Sequence, residues 1–214
     1  MKNKKISPGI TEYDIAETYH LGYVGTYEEL SSFSSWSRSG DRKDHFIPTA
    51  ALAIARKDLN KLQNSKLYSL LKEENKEVHL AMQVLYQDHR TALTTGNSME
   101  GKVCRALLAD TIVNGNAETL LKQAMIMANP ITSRRLRSDA GISRNSTAGK
   151  VNSLSEDGTN CYHKTGYNQI ISEYQKKGII EQGTVDRLKT WVKEDRHLSI
   201  NTPEYKQILQ RIRP

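Results

Sequence analysis

A chain of 214 residues with 37% hydrophobic and 26% charged side chains and only five prolines can bury a real core as one ordinary domain; this composition excludes a disordered chain. Thirty-one Lys and Arg against 24 Asp and Glu give a net charge of +7, which favours a polyanionic partner: nucleic acid, an anionic membrane surface or an acidic protein. No segment reaches the roughly 18–20 apolar residues that cross a bilayer, and the basic start MKNKKISPGITEYD lacks the apolar run of a signal peptide.

Residues 1–40, rich in Ser, Gly and Tyr, read as an N-terminal arm of loops, extended pieces and one short helix. The segment 41–130 reads as the core. Pro48 suits a helical first turn, and Leu52, Ala55, Leu59 and Leu62 recur at helical spacing, which predicts a helix over about 48–63. Asn64 or Ser65 can cap a second helix carrying Leu67, Leu70 and Leu71. In VHLAMQVLY the apolar Val78, Leu80, Met82, Val84 and Tyr86 alternate with His79, Ala81, Gln83 and Leu85, which favours a strand.

A loop, QDHRTALTTGNS, follows. The segment MEGKVCRALLADTIVNG predicts a helix stopped by a left-handed Asn114-Gly115, and Asn116 caps a partner helix, AETLLKQAMIMA, that ends at Asn129-Pro130. The two should form a core hairpin. Residues 131–163 are polar, basic and without periodicity, as expected of a long surface loop or linker. Residues 164–214 read as a C-terminal subdomain of three short helices, with Gly178 as a stop and Thr202-Pro203 as a start. The fold class expected is mainly α, an α+β arrangement with a small strand or hairpin near two Asp-His sequences.

Those two sequences carry the candidate chemistry. Asp44-His45 sits between a charged turn and a helix start, and Asp88-His89 repeats the dipeptide where another apolar segment turns polar. A histidine can take a proton from water, and an aspartate with a second imidazole can hold a divalent cation (magnesium, manganese, nickel or zinc) that stabilises charge on a phosphate. In that reading His45 is the general base, and Asp44 and His89 are metal ligands. The bland alternative makes the aspartates caps or turn residues and the histidines surface or core imidazoles.

Arg42, Lys43 and Arg90 flank the pairs and could neutralise phosphate. Thr95 lies in a small turn that could position substrate, and Arg134 and Arg135, with Arg137, Arg144 and Lys150, put a basic stripe on the expected loop. His79, on the alternate face of the strand-like segment, reads as structural. Cys161-Tyr162-His163 holds a thiol beside an imidazole, but neighbours on an extended chain point apart and no third group orients them. Cys104 and Cys161 form no CxxC pair, which favours two unpaired thiols or a reduced compartment. The sequence holds no GxxxxGK[ST], GxGxxG, GxSxG or HExxH signature.

The block DRKDHFIPTAAL followed by VLYQDHRTALTTGNS resembles a pattern in the C-terminal toxin domains of polymorphic bacterial toxins, including the Rhs type, over Asp41 to Asn97. That pattern runs Arg-Asp-His-Ile-Pro-Ser, an alanine-rich helix, then a strand-like segment ending in a His and a Thr-Tyr-Gly turn. Here Phe46 is inserted before Ile47, Thr49 replaces the Ser and Thr95 the Tyr. The resemblance implies an HNH or His-Me finger-like nuclease cleaving DNA or RNA with a divalent metal, using Asp44, His45 and His89. It also implies an effector delivered into a target cell's cytoplasm and an acidic cognate immunity protein. Two other readings stand beside it: a non-catalytic basic helical module that binds nucleic acid or an acidic partner, and an enzyme acting on a nucleotide or a cell-wall component.

Overall fold

The computed structural model describes residues 20–32, 41–61, 66–71, 79–142 and 156–213. Most of the expected arm, the capping residues Asn64 and Ser65, and Arg144 and Lys150 lie outside the described residues. The architecture is mainly helical with a small antiparallel sheet, as the sequence predicts. Strand β1 (Val24–Thr26) leads into the short helix α1 (Tyr27–Ser32), and strand β2 (Asp41–His45) precedes α2 (Thr49–Ala55). The helix predicted to reach residue 63 gives way to a tighter 3-10 stretch, Arg56–Lys61, with Asp58 outside helical geometry. A second 3-10 piece, Lys66–Leu71, is tied back by Arg56, whose Nε donates to the Leu71 carbonyl at 2.7 Å.

Strand β3 (Leu80–Leu85) confirms the alternating segment as a strand. It is the central strand, in the order β1-β3-β2, and is buried on both faces, which is why apolar residues run through nearly every position. Its successor, expected as a loop, is the short helix α3 (Tyr86–Thr91). Asp44-His45 likewise ends a strand: Asp41 pairs with Leu85 and His45 with Ala81.

Helix α4 (Met99–Asn114) opens on Ser98, which accepts from Gly101 N, and helix α5 (Ala117–Ala128) opens on Asn116, which accepts from Thr119 N. Gly115 stops α4, but in extended geometry (φ −104°, ψ −153°) and not in the expected left-handed one. Glycine fits there because a Cβ would stand 2.7 Å from the Thr111 carbonyl oxygen.

The expected loop over 131–163 is largely helical where it is described. Asn129 caps α6 (Pro130–Asp139), with Pro130 in the first turn, and α7 (Glu156–Lys176) begins well before the first of the three helices expected over 164–214. Periodicity missed α6 because its inner face is partly polar. Thr132 donates to the Ile126 carbonyl and Ser133 to the Met127 carbonyl, each at 2.8 Å, so both bury without an unmet hydrogen bond. Gly178 (φ +69°) ends α7's turn, and α8 (Gln182–Lys193), the 3-10 turn Arg196–Leu198 and α9 (Pro203–Ile212, capped by Thr202) complete the chain.

The core runs between α4, α5, α7, α8 and α9 through Leu108, Ile112, Leu121, Met125, Tyr167, Ile170 and Leu188, all essentially inaccessible. Full burial of such side chains contributes about 1.5–3 kcal/mol each. Helix α7 is seated on the sheet through two glycines. A Cβ on Gly166 would overlap the Met82 side chain, and one on Gly22 (φ +83°) would lie 2.5 Å from the Tyr162 carbonyl. That close approach brings Tyr162 and His163 up to the Asp-His sequences. No helix among the described residues is long and apolar enough to cross a membrane.

Candidate functional site

The pleat of β2 sends alternate side chains to opposite sides. Lys43 and His45 meet α1: the His45 ring stacks on Tyr27 at 4.8 Å, with 3° between planes, and Lys43 Nζ lies 5.3 Å from the same ring's centre. Arg42 and Asp44 meet α3: the Arg42 guanidinium lies 4.6 Å from the Tyr86 ring centre, and Asp44 Oδ1 lies 3.4 Å from His89 Nδ1. The neighbours Asp44 and His45 therefore take different partners. Carboxylate and imidazole pair across the two dipeptides and not within one.

Asp44, His45, Asp88, His89 and His163 nevertheless line one narrow cleft, floored by Met82 and Val84. Its free volume of about 10 Å³ is the room of a single water. The His89 side chain is 30% exposed while its Nδ1 is buried, so exposure falls on the ring edge away from Asp44, which carries Nε2. The Asp44 contact is an ion-pair approach without hydrogen-bond alignment. Burial lowers the pKa of His45, with Asp44 opposing the shift, and so favours the neutral imidazole.

Asp88 is buried and accepts a hydrogen bond from the Tyr162 hydroxyl. Burial and the Asp88 charge both raise the Tyr162 pKa, so the phenol stays protonated and donates. This bond fastens α3 to α7. Thr95 fastens the other end of α3: its hydroxyl meets the carbonyls of His89 and Ala92 at 2.6 and 3.0 Å, so it positions the helix instead of facing the cleft.

Neither aspartate caps a helix: α2 has Pro48 and α3 has Leu85 at that position, without a capping side chain. Arg90 joins the site, 5.7 Å from the Tyr86 ring centre. Arg134 and Arg135 are not among the cleft's lining residues. Arg134 approaches Glu156 at 4.0 Å, and Arg135 donates to the Leu198 carbonyl at 2.9 Å. Arg137 is buried on Glu100 (3.2 Å) and the Thr91 carbonyl (2.6 Å), so it is structural. His79 is structural too, bonded to the Leu70 carbonyl at 3.0 Å. Cys161 is exposed and His163 buried, so the suspected thiol–imidazole cluster does not form, and both Cys104 and Cys161 are free thiols.

Sequence reasoning does not single out Tyr27 or Tyr86, and it places Tyr162 and His163 only in a cluster with Cys161. Tyr86 and His89 share a helical face at a spacing of three, a local signal that the loop expectation hid. Tyr162 and His163 stand far along the chain from either Asp-His pair, and no local pattern joins them to the site.

Among the described residues no group of three His, Cys, Asp or Glu is arranged to hold a metal ion. Asp44 and His89 together offer two donors, one carboxylate and one imidazole. No known protein family, curated protein or solved structure matches the chain.

Proposed function

We propose that the chain is a nuclease of the polymorphic-toxin kind, cleaving phosphodiester bonds of nucleic acid at the cleft between β2, α3 and α7. The observation that carries the reading is the meeting of Asp44 and His89, forty-five residues apart in the chain, in a cleft that His45 also lines. His45 starts neutral because burial disfavours its charge, so it is able to accept the proton of the attacking water. Asp44 stands 3.4 Å from the His89 ring, whose outer edge is open toward the substrate side of the cleft. Arg42 and Arg90 offset the charge of the phosphate. If a divalent cation is required, Asp44 and His89 would hold it, and it would supply stabilisation of charge on the phosphate.

The resemblance extends this reading to an effector that acts in the cytoplasm of a target cell. The +7 charge suits an acidic immunity partner that covers the same face. The test is cleavage of plasmid DNA and of RNA, with and without EDTA. Loss of proton transfer costs roughly 10²–10⁴-fold in rate, so His45→Ala should fall by that amount, and His89→Ala, which removes the partner of Asp44, should lose cleavage as well. Cleavage unchanged in both variants overturns the proposal.

A further inference from the structure

The three cation–ring contacts described for the sheet side join β2 to α1 and α3, with their cations within a few residues of Asp44 or His89. Such contacts occur about once per 70–80 residues in proteins at large, so their concentration here is a local feature. Arg42 and Arg90 both approach the Tyr86 ring, and Tyr27 carries His45 stacked on it with Lys43 nearby. Tyr27 is 46% exposed, as is Tyr23 in the turn before β1.

A positively charged surface with planar rings set into it is the chemistry that holds single strands: cations follow the backbone while unpaired bases stack on rings and guanidinium planes. A duplex presents its phosphates but hides the faces of its bases. The cleft is also narrow, with space for about one water beside Asp44 and His89.

We infer that the substrate of this site is single-stranded nucleic acid, with bases flanking the cleaved phosphate stacked against the exposed ring of Tyr27 and against the guanidinium groups of Arg42 and Arg90 that lie over Tyr86. The inference rests on the nuclease reading and narrows it. Tyr27 and Tyr86 then set strand preference, and Arg42, Lys43 and Arg90 hold both the rings and the backbone.

The experiment compares binding of oligo-U, oligo-dT and a duplex of equal length, about 12 nucleotides, within the span that such surfaces cover. Fluorescence anisotropy on the full chain carrying His89→Ala avoids cleavage during the measurement. Single strands should bind at least tenfold more tightly than the duplex. Removing the ring in Tyr27→Leu or Tyr86→Leu should weaken single-strand binding about 5- to 100-fold, the range of one lost base–ring stack, and leave duplex binding unchanged. Tyr27→Phe and Tyr86→Phe should retain the affinity, because stacking needs the ring and not the hydroxyl. Equal binding of strand and duplex, or leucine variants that bind like the parent, overturns the inference while cleavage by the wild type keeps the nuclease reading. Absence of both cleavage and binding for every probe overturns both.

Discussion

Histidines on the two walls of the cleft stand in opposite circumstances. On the sheet wall, His45 and His89 are partly exposed and have Asp44 beside them. On the helix wall and behind it, His163 and His197 are wholly inaccessible. His163 donates Nδ1–H to the Thr159 carbonyl at 2.8 Å and His197 donates Nε2–H to Asn160 Oδ1 at 2.7 Å, which leaves one ring nitrogen of each without a hydrogen-bond partner. Burial holds their pKa values down at about 3 and about 4. Asp195 raises that of His197 and Lys164 lowers it, but burial outweighs both. The sheet-wall imidazoles reach a carboxylate and solvent. An imidazole sealed among Tyr167 and Trp191 packs as a neutral ring and penalises acid.

Acid should break the helix wall first. Both buried histidines bind protons far more readily unfolded, near pH 6.5, than folded. Their contribution is therefore intact above about pH 6.5 and is lost as the pH falls toward 4 and 3. By pH 4 the loss amounts to on the order of 6 kcal/mol, comparable with a whole domain's stability. Thermal melts between pH 7 and pH 4 should show a steep fall, and His163→Leu or His197→Leu should flatten it; equal pH dependence in the variants refutes the assignment.

Next in size is Arg137→Ala, which removes the buried guanidinium 3.2 Å from the Glu100 carboxylate and its hydrogen bond to the carbonyl that ends α3. A cost of about 3–5 kcal/mol is expected in urea unfolding. Asn116→Ala, which removes the cap of α5, should cost about 1 kcal/mol. The smallest change belongs to the sheet wall. His89→Ala removes a partly exposed ring and should shift stability by less than about 1 kcal/mol while cleavage collapses, so a large drop in melting temperature would show that His89 serves the fold instead.

Much of the fold could be read from local sequence. Ser98, Asn116, Asn129 and Thr202 are polar residues directly ahead of helices, and each caps one through its own side chain. The alternation around Met82 marked β3, because a strand's period of two needs no knowledge of its neighbours. Helix α6 was not legible: Thr132 and Ser133 look like loop residues until the carbonyls of Ile126 and Met127 stand over them. Helix α3 was hidden by its brevity and by a glycine-containing turn just beyond it.

The sequence by itself determined that two Asp-His dipeptides lie at the ends of apolar segments amid basic residues. Only the tertiary structure decided who pairs with whom. Pairing of β2 with β3 lays α3 along β2, so Arg42 meets Tyr86 and Asp44 meets His89, while the pleat stacks His45 on Tyr27 at the border of the cleft it lines. Gly22 and Gly166 then let α7 come close enough to set Tyr162 against Asp88 and His163 against the cleft. Caps and periods act within a few residues and are written locally. A site built by strand register and helix approach depends on residues far apart in the chain, and becomes visible only once the chain has closed on itself.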